Sequence, residues 1–119
     1  MPRFRDAFPI LLVTDLQRSL AFYRDLLGFE LAYAFPPDEP AFAQLAVDGG
    51  KLGLATSDDP VDPSSTAIWV YTDDVDAAFA ELEGAGARIV APPADHQWGE
   101  RVASVADPGG YVVHVGAPG

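Results

Sequence analysis

The chain has 119 residues, 49% of them hydrophobic, which is enough apolar material for one compact domain or two small modules sharing a core. Eighteen acidic against seven basic side chains give a formal charge of -11; such a field disfavours nucleic acid and anionic membranes and attracts cations, although plain solubility is the simpler reading of the charge alone. Cysteine is absent, which removes disulfides, thiolate metal sites and cysteine nucleophiles.

The leading Met1-Pro2-Arg3-Phe4-Arg5 has neither an h-region nor a small-residue cleavage site after it, so a cytoplasmic protein is expected. The first apolar run, Phe8 to Val13, is too short to span a bilayer. Phe8 to Thr14 reads as a buried strand, and Asp15 as the N-cap of a helix whose apolar stripe is Leu16, Leu20, Tyr23 and Leu27. Gly28 ends that helix as a C′ glycine would. Phe29 to Phe35 resumes an extended pattern, which Pro36-Pro37-Asp38-Glu39-Pro40 breaks. Ala41 to Val47 and Lys51 to Thr56 follow as a hairpin turning at Asp48-Gly49-Gly50.

Residues 57–65 (SDDPVDPSS) carry no apolar periodicity and read as a linker. Thr66 to Thr72 is the next strand; Asp73 or Asp74 caps a helix with stripe Val75, Phe79 and Leu82, ending near Gly84 and Gly86. Arg88 to Ala91 reads as a short strand and Pro92 to Gly99 as a loop. Glu100 to Ala106 and Tyr111 to Gly116 form the last hairpin, around Asp107-Pro108-Gly109-Gly110. The order is βαβββ twice: module one over 8–56, the linker over 57–65, module two over 66–116. Thr14-Asp15 and Thr72-Asp73 are 58 residues apart, whereas the helical stripes superpose best at 59, so one indel between the copies is expected. The fold class expected is α+β, two tandem βαβββ modules forming a curved mixed sheet around a cavity.

Two segments, ILLVTDLQRSLAFYRDLLGFEL (Ile10 to Leu31) and WGERVASVADPGGYVVHVG (Trp98 to Gly116), resemble the vicinal oxygen chelate superfamily of glyoxalases, extradiol dioxygenases, fosfomycin resistance enzymes and bleomycin resistance proteins. The resemblance covers about residues 8 to 116. The bleomycin resistance proteins are the best match, through Thr66-Ala67-Ile68-Trp69-Val70, Trp98-Gly99-Glu100 and Val113-His114-Val115. Those are acidic dimers that sequester a large cationic glycopeptide without chemistry. Fold likeness alone does not transfer that ligand.

The superfamily's enzymes hold a divalent metal through His, Glu or Gln on four strands. The matching positions here are Phe8, a residue among Leu52 to Leu54, Ala67 and His114. Only His114 can donate, so the resemblance implies no metal and no cofactor. Gln44, His96 and Glu100 are nearby donors at positions that do not match.

Strand parity puts Phe8, Ile10 and Leu12 on one face, Ala67, Trp69 and Tyr71 on one face, and Val112 with His114. The candidate ligand-binding residues are Phe8, Tyr33, Phe35, Phe42, Trp69, Tyr71, Trp98, Ser104 and His114, with Asp38 and Glu39 steering a cation. Each has a plainer reading. Trp69 can be core, Trp98 a surface anchor, Ser104 a strand serine, His114 a satisfied histidine, and the two carboxylates plain solubility. The function expected is metal-free capture of a small aromatic ligand, which the acidic surface would also admit as a cation, by a homodimer. Two alternatives stay open: a metal-dependent glyoxalase- or dioxygenase-like enzyme with His114 as its catalytic candidate, and a structural or regulatory dimer without catalysis.

Overall fold

The computed structural model describes residue 3 and residues 5–118. The chain divides between Val61 and Asp62 into two compact units. The first holds β1 (Ile10–Val13), α1 (Leu16–Leu20) with a π-helical continuation (Ala21–Leu26), β2 (Glu30–Phe35), β3 (Phe42–Val47) and β4 (Gly50–Thr56). The second holds a 3-10 turn (Pro63–Ser65), β5 (Ala67–Tyr71), α2 (Val75–Gly84), β6 (Arg88–Asp95), β7 (Glu100–Ala106) and β8 (Val112–Pro118). The fold is α+β: eight strands in two four-stranded mixed sheets, ordered β1-β4-β3-β2 and β5-β8-β7-β6. In each, the first strand runs parallel to the last and the other pairs are antiparallel.

The two helices start in the same way. Asp15 accepts a hydrogen bond from the Arg18 N–H at 3.2 Å, and Asp74 accepts one from the Ala77 N–H at 3.1 Å, each satisfying an orphan donor of the first turn. These caps are 59 residues apart, the same spacing as the helical stripes. The second cap is therefore Asp74, not Asp73, and no indel is needed between strand and helix. The Thr-Asp dipeptides are one step out of register.

Each sheet buries one face. In the first unit Leu11, Val13, Leu45, Leu52 and Leu54 are buried, as are Leu16, Leu20 and Tyr23 of the helical segment; α1 lies on β4. In the second unit Ala103, Val105, Val113 and Val115 are buried with Val75 and Leu82 of α2. Full burial of one such aliphatic side chain stabilises a fold by about 1.5–3 kcal/mol. The alternation of buried with exposed residues along β1, and of buried with half-buried ones along β3 and β8, is what sets a second, less covered face apart.

Two elements differ from the sequence reading. The first helix is not uniformly α: the Leu27 N–H reaches the Phe22 carbonyl five residues back, at 3.1 Å. Gly28 then takes φ 81°, the left-handed conformation expected of a C′ glycine. β6 runs on through Pro92-Pro93 to Asp95 instead of stopping at Ala91. It is an edge strand, where a missing N–H leaves no ladder bond unmade, and its register shifts beside Ala91 absorb the prolines. Among the described residues no helix is long and apolar enough to cross a membrane.

Candidate functional site

The uncovered face of the second sheet is built level by level from its register. Trp69 on β5 pairs with His114 on β8, which pairs with Ser104 on β7. One level on, Tyr71 pairs with Gly116, which pairs with Val102. Because Gly116 has no side chain, the indole of Trp69 lies down on β8: a Cβ at Gly116 would sit 3.2 Å from Trp69 Cζ2 and Nε1. The Trp69 ring is also 5.1 Å from the imidazole of His114 and 6.1 Å from the phenol of Tyr71, tilted against both.

Two polar arrangements sit on this face. In the first, the Ser104 hydroxyl and His114 Nδ1 are 2.7 Å apart. Ser104 is 6% exposed, and its hydroxyl finds no other acceptor among the described residues. Its proton is therefore best placed on the Nδ1 lone pair, leaving the imidazole proton on Nε2 as a donor. Nε2 itself makes no hydrogen bond to any described residue. In the second arrangement, Glu100 accepts the indole N–H of Trp98 at 2.7 Å. Its carboxylate, beside the Tyr71 phenol, raises the phenol's pKa above the ordinary value. Trp98 stacks on His96, with ring centroids 4.4 Å apart, beside a shallow hollow lined by Asp95, His96, Gln97 and Trp98.

The uncovered face of the first sheet carries hydrocarbon at the equivalent level. Ile10 pairs with Gly53, which pairs with Gln44. A Cβ at Gly53 would meet Ile10 Cγ1 at 2.9 Å, and Phe42 Cε1 and Phe8 Cε2 at 3.2 Å each. Tyr33 packs beside Phe42 at 6.3 Å, and Phe35 is the register partner of Phe42. Asp38 and Glu39 are exposed in the loop between β2 and β3 and form no ion pair with any described residue.

The sequence-predicted residues thus fall into two groups. Trp69, Tyr71, Ser104 and His114 share one face of the second sheet, with Trp98 joined to it through Glu100. Phe8, Tyr33, Phe35 and Phe42 gather on the first. Three contributors stand outside the candidate ligand-binding residues of the sequence: Glu100, noted there only as a donor at a position that does not match a metal ligand, Gly53 and Gly116. A signal existed for Glu100, which has the parity of Ser104 and stands two residues after Trp98. No sequence signal marked which glycine would receive an aromatic ring.

Of the positions that the resemblance matches to metal ligands, Phe8, a residue among Leu52 to Leu54, and Ala67 offer no donor, so His114 alone brings one nitrogen where several donors must converge within about 2.0–2.6 Å. Ser104, level with His114, and Glu100 are four residues apart on β7, or about 13 Å at the rise of a strand. Among the described residues no three His, Cys, Asp or Glu side chains group in a way that could hold an ion. This donor set does not fit a catalytic divalent metal.

Known proteins carry the same fold. A protein of unknown function from Agrobacterium tumefaciens superposes with a TM-score of 0.80 at 25% identity, covering 98% of this chain and 96% of its own. TioX from Micromonospora superposes at 0.77 with 26% identity, covering 97% of both chains. An uncharacterised protein of Mycolicibacterium smegmatis is 39% identical over 88 residues, 72% of this chain and 71% of its own. The family model described as the Glyoxalase/Bleomycin resistance protein/Dioxygenase superfamily matches residues 7–115. With its paired βαβββ units and that match over nearly all its length, the chain belongs to the glyoxalase/bleomycin resistance protein/dioxygenase superfamily.

Proposed function

We propose that this protein is a metal-free binding protein that sequesters a small aromatic ligand, and that it works as a cytoplasmic homodimer. The observation that carries the reading is the pairing of exposed rings with missing donors. Trp69, Tyr71 and Trp98 are 41, 62 and 62% exposed, while one of the four metal-matching positions bears a donor. Exposed indoles and phenols held in fixed orientation can stack on a planar ligand, which contributes about 0.5–1.5 kcal/mol beyond the area buried. His114 Nε2 adds one directional donor for a ligand acceptor. The net charge of -11, including Asp38 and Glu39, would raise the local concentration of a cationic ligand, an effect that salt screens.

Intrinsic fluorescence tests the reading, since both tryptophans belong to the proposed site. Titration with a panel of planar aromatic drugs, cationic and neutral, is expected to give saturable quenching that Trp69→Phe weakens. A panel that produces no saturation removes the proposal. Native mass spectrometry of the same sample is expected to show two subunits.

A further inference from the structure

We infer that Glu100 is the specificity-determining residue of this face, a fixed carboxylate that selects planar ligands bearing a quaternary or protonated amine. The inference rests on the capture reading above and names the ligand class. Two of the carboxylates near Glu100 in sequence or on the facing helix already have a cation: Asp76 and Asp95 share Arg101 at 2.9 and 3.1 Å. Glu100 has none among the described residues. Strand alternation is the reason. The adjacent Arg101 points to the opposite face and is held there by Asp76 on α2, so the nearest guanidinium is turned away from Glu100.

What Glu100 does have is a neutral donor, the Trp98 indole N–H at 2.7 Å, with the Tyr71 phenol beside its carboxylate. That donor fixes the carboxylate without cancelling its charge. The carboxylate sits at the N–H edge of the Trp98 indole, and the Tyr71 ring beside it lies 6.1 Å from that of Trp69. A half-buried, uncompensated anion framed by indole and phenol rings is the chemistry that recognises an organic cation, by charge and by the ring quadrupoles together. An inorganic ion finds only one carboxylate here and prefers water.

Three probes of one shape separate the possibilities: N-methylquinolinium, quinoline (neutral at neutral pH) and quinoline-2-carboxylate, each titrated calorimetrically into the full chain. N-methylquinolinium is expected to bind about tenfold or more tighter than quinoline, and the carboxylate more weakly than either. Glu100→Gln keeps the volume and the acceptor for Trp98, and is expected to bring the ratio of N-methylquinolinium to quinoline affinity to about one. Equal binding of cation and neutral probe by the wild-type protein overturns the role of Glu100, whatever the variant does, and leaves aromatic capture standing. Absence of binding by all three overturns both.

Discussion

Two glycines without side chains do more to shape the open faces than most residues that have them. At Gly116 the space is filled by the Trp69 ring, whose atoms would stand 3.2 Å from a new Cβ and whose other side is exposed, so Gly116→Ala is expected to shift Trp69 from its resting orientation and weaken aromatic ligands with little loss of fold stability. Comparing ligand affinity with the urea midpoint checks this. At Gly53 the neighbour is Ile10 Cγ1 at 2.9 Å, on a β-branched side chain with little χ1 freedom, flanked by two phenyl rings. Gly53→Ala is expected to destabilise the protein by about 1–3 kcal/mol, read from the same denaturation curves. Tyr71 offers a pH test. The neighbouring Glu100 carboxylate raises the phenol's folded pKa above the ordinary tyrosine value, so its contribution to stability is present below that ordinary value and fades as pH rises through the raised one. Tyrosinate absorbance, with Tyr71→Phe as the reference, is expected to show this transition moving down towards 10.0 in Glu100→Gln.

The β7–β8 hairpin and α2 are held by two polar devices, one at the turn and one on the face opposite the site. Asp107, 4% exposed, accepts the N–H groups of Gly109 and Tyr111 at 2.9 Å each. Asp107→Ala leaves those donors unmet at a buried turn and is expected to cost about 1–3 kcal/mol in chemical denaturation. Arg101 grips Asp76 with two hydrogen bonds of 2.9 Å, which lowers the Asp76 pKa. A lowered carboxylate pKa gives stability that is present above the ordinary value and lost as pH falls through the depressed one. The stability gap between wild type and Arg101→Met is therefore expected near neutral pH and should close in acid; denaturation series at the two pH values measure it. These elements were largely legible in the sequence, because caps, turns and periodicity are local. The N-cap aspartates, the DPGG turn and the inward stripes need no distant information. The length of β6 was not legible, since Pro92-Pro93 reads as a break unless the strand is known to lie at an edge.

Duplication gives the molecule two sheets of one topology and two open faces of different chemistry. Ile10, Gly53 and Gln44 stand in the first where Trp69, His114 and Ser104 stand in the second. Parity placed Trp69 with Tyr71 and Val112 with His114, because side-chain direction alternates reliably along a strand; the register of β5 on β8 is what brings Trp69 and His114 together. The union of Trp98, Glu100 and Tyr71 was hidden, because it depends on how the β6–β7 turn returns and on a glycine that clears β8. A charge of -11 spread over so small a chain also makes a global prediction. Affinity for a cationic aromatic probe should fall steeply when salt shortens the Debye length below about 10 Å, while a neutral probe of the same shape should hardly respond.

Everything proposed about capture presumes that ring faces, and not Lewis-acid chemistry, are what the second sheet presents. Calorimetric titration of the purified, chelator-treated protein with Zn²⁺, Ni²⁺ and Mn²⁺ probes this directly. Weak, non-stoichiometric heats that leave the tryptophan emission unchanged are the anticipated result. A single saturating ion per chain at micromolar strength or better, lost in His114→Ala, would contradict it.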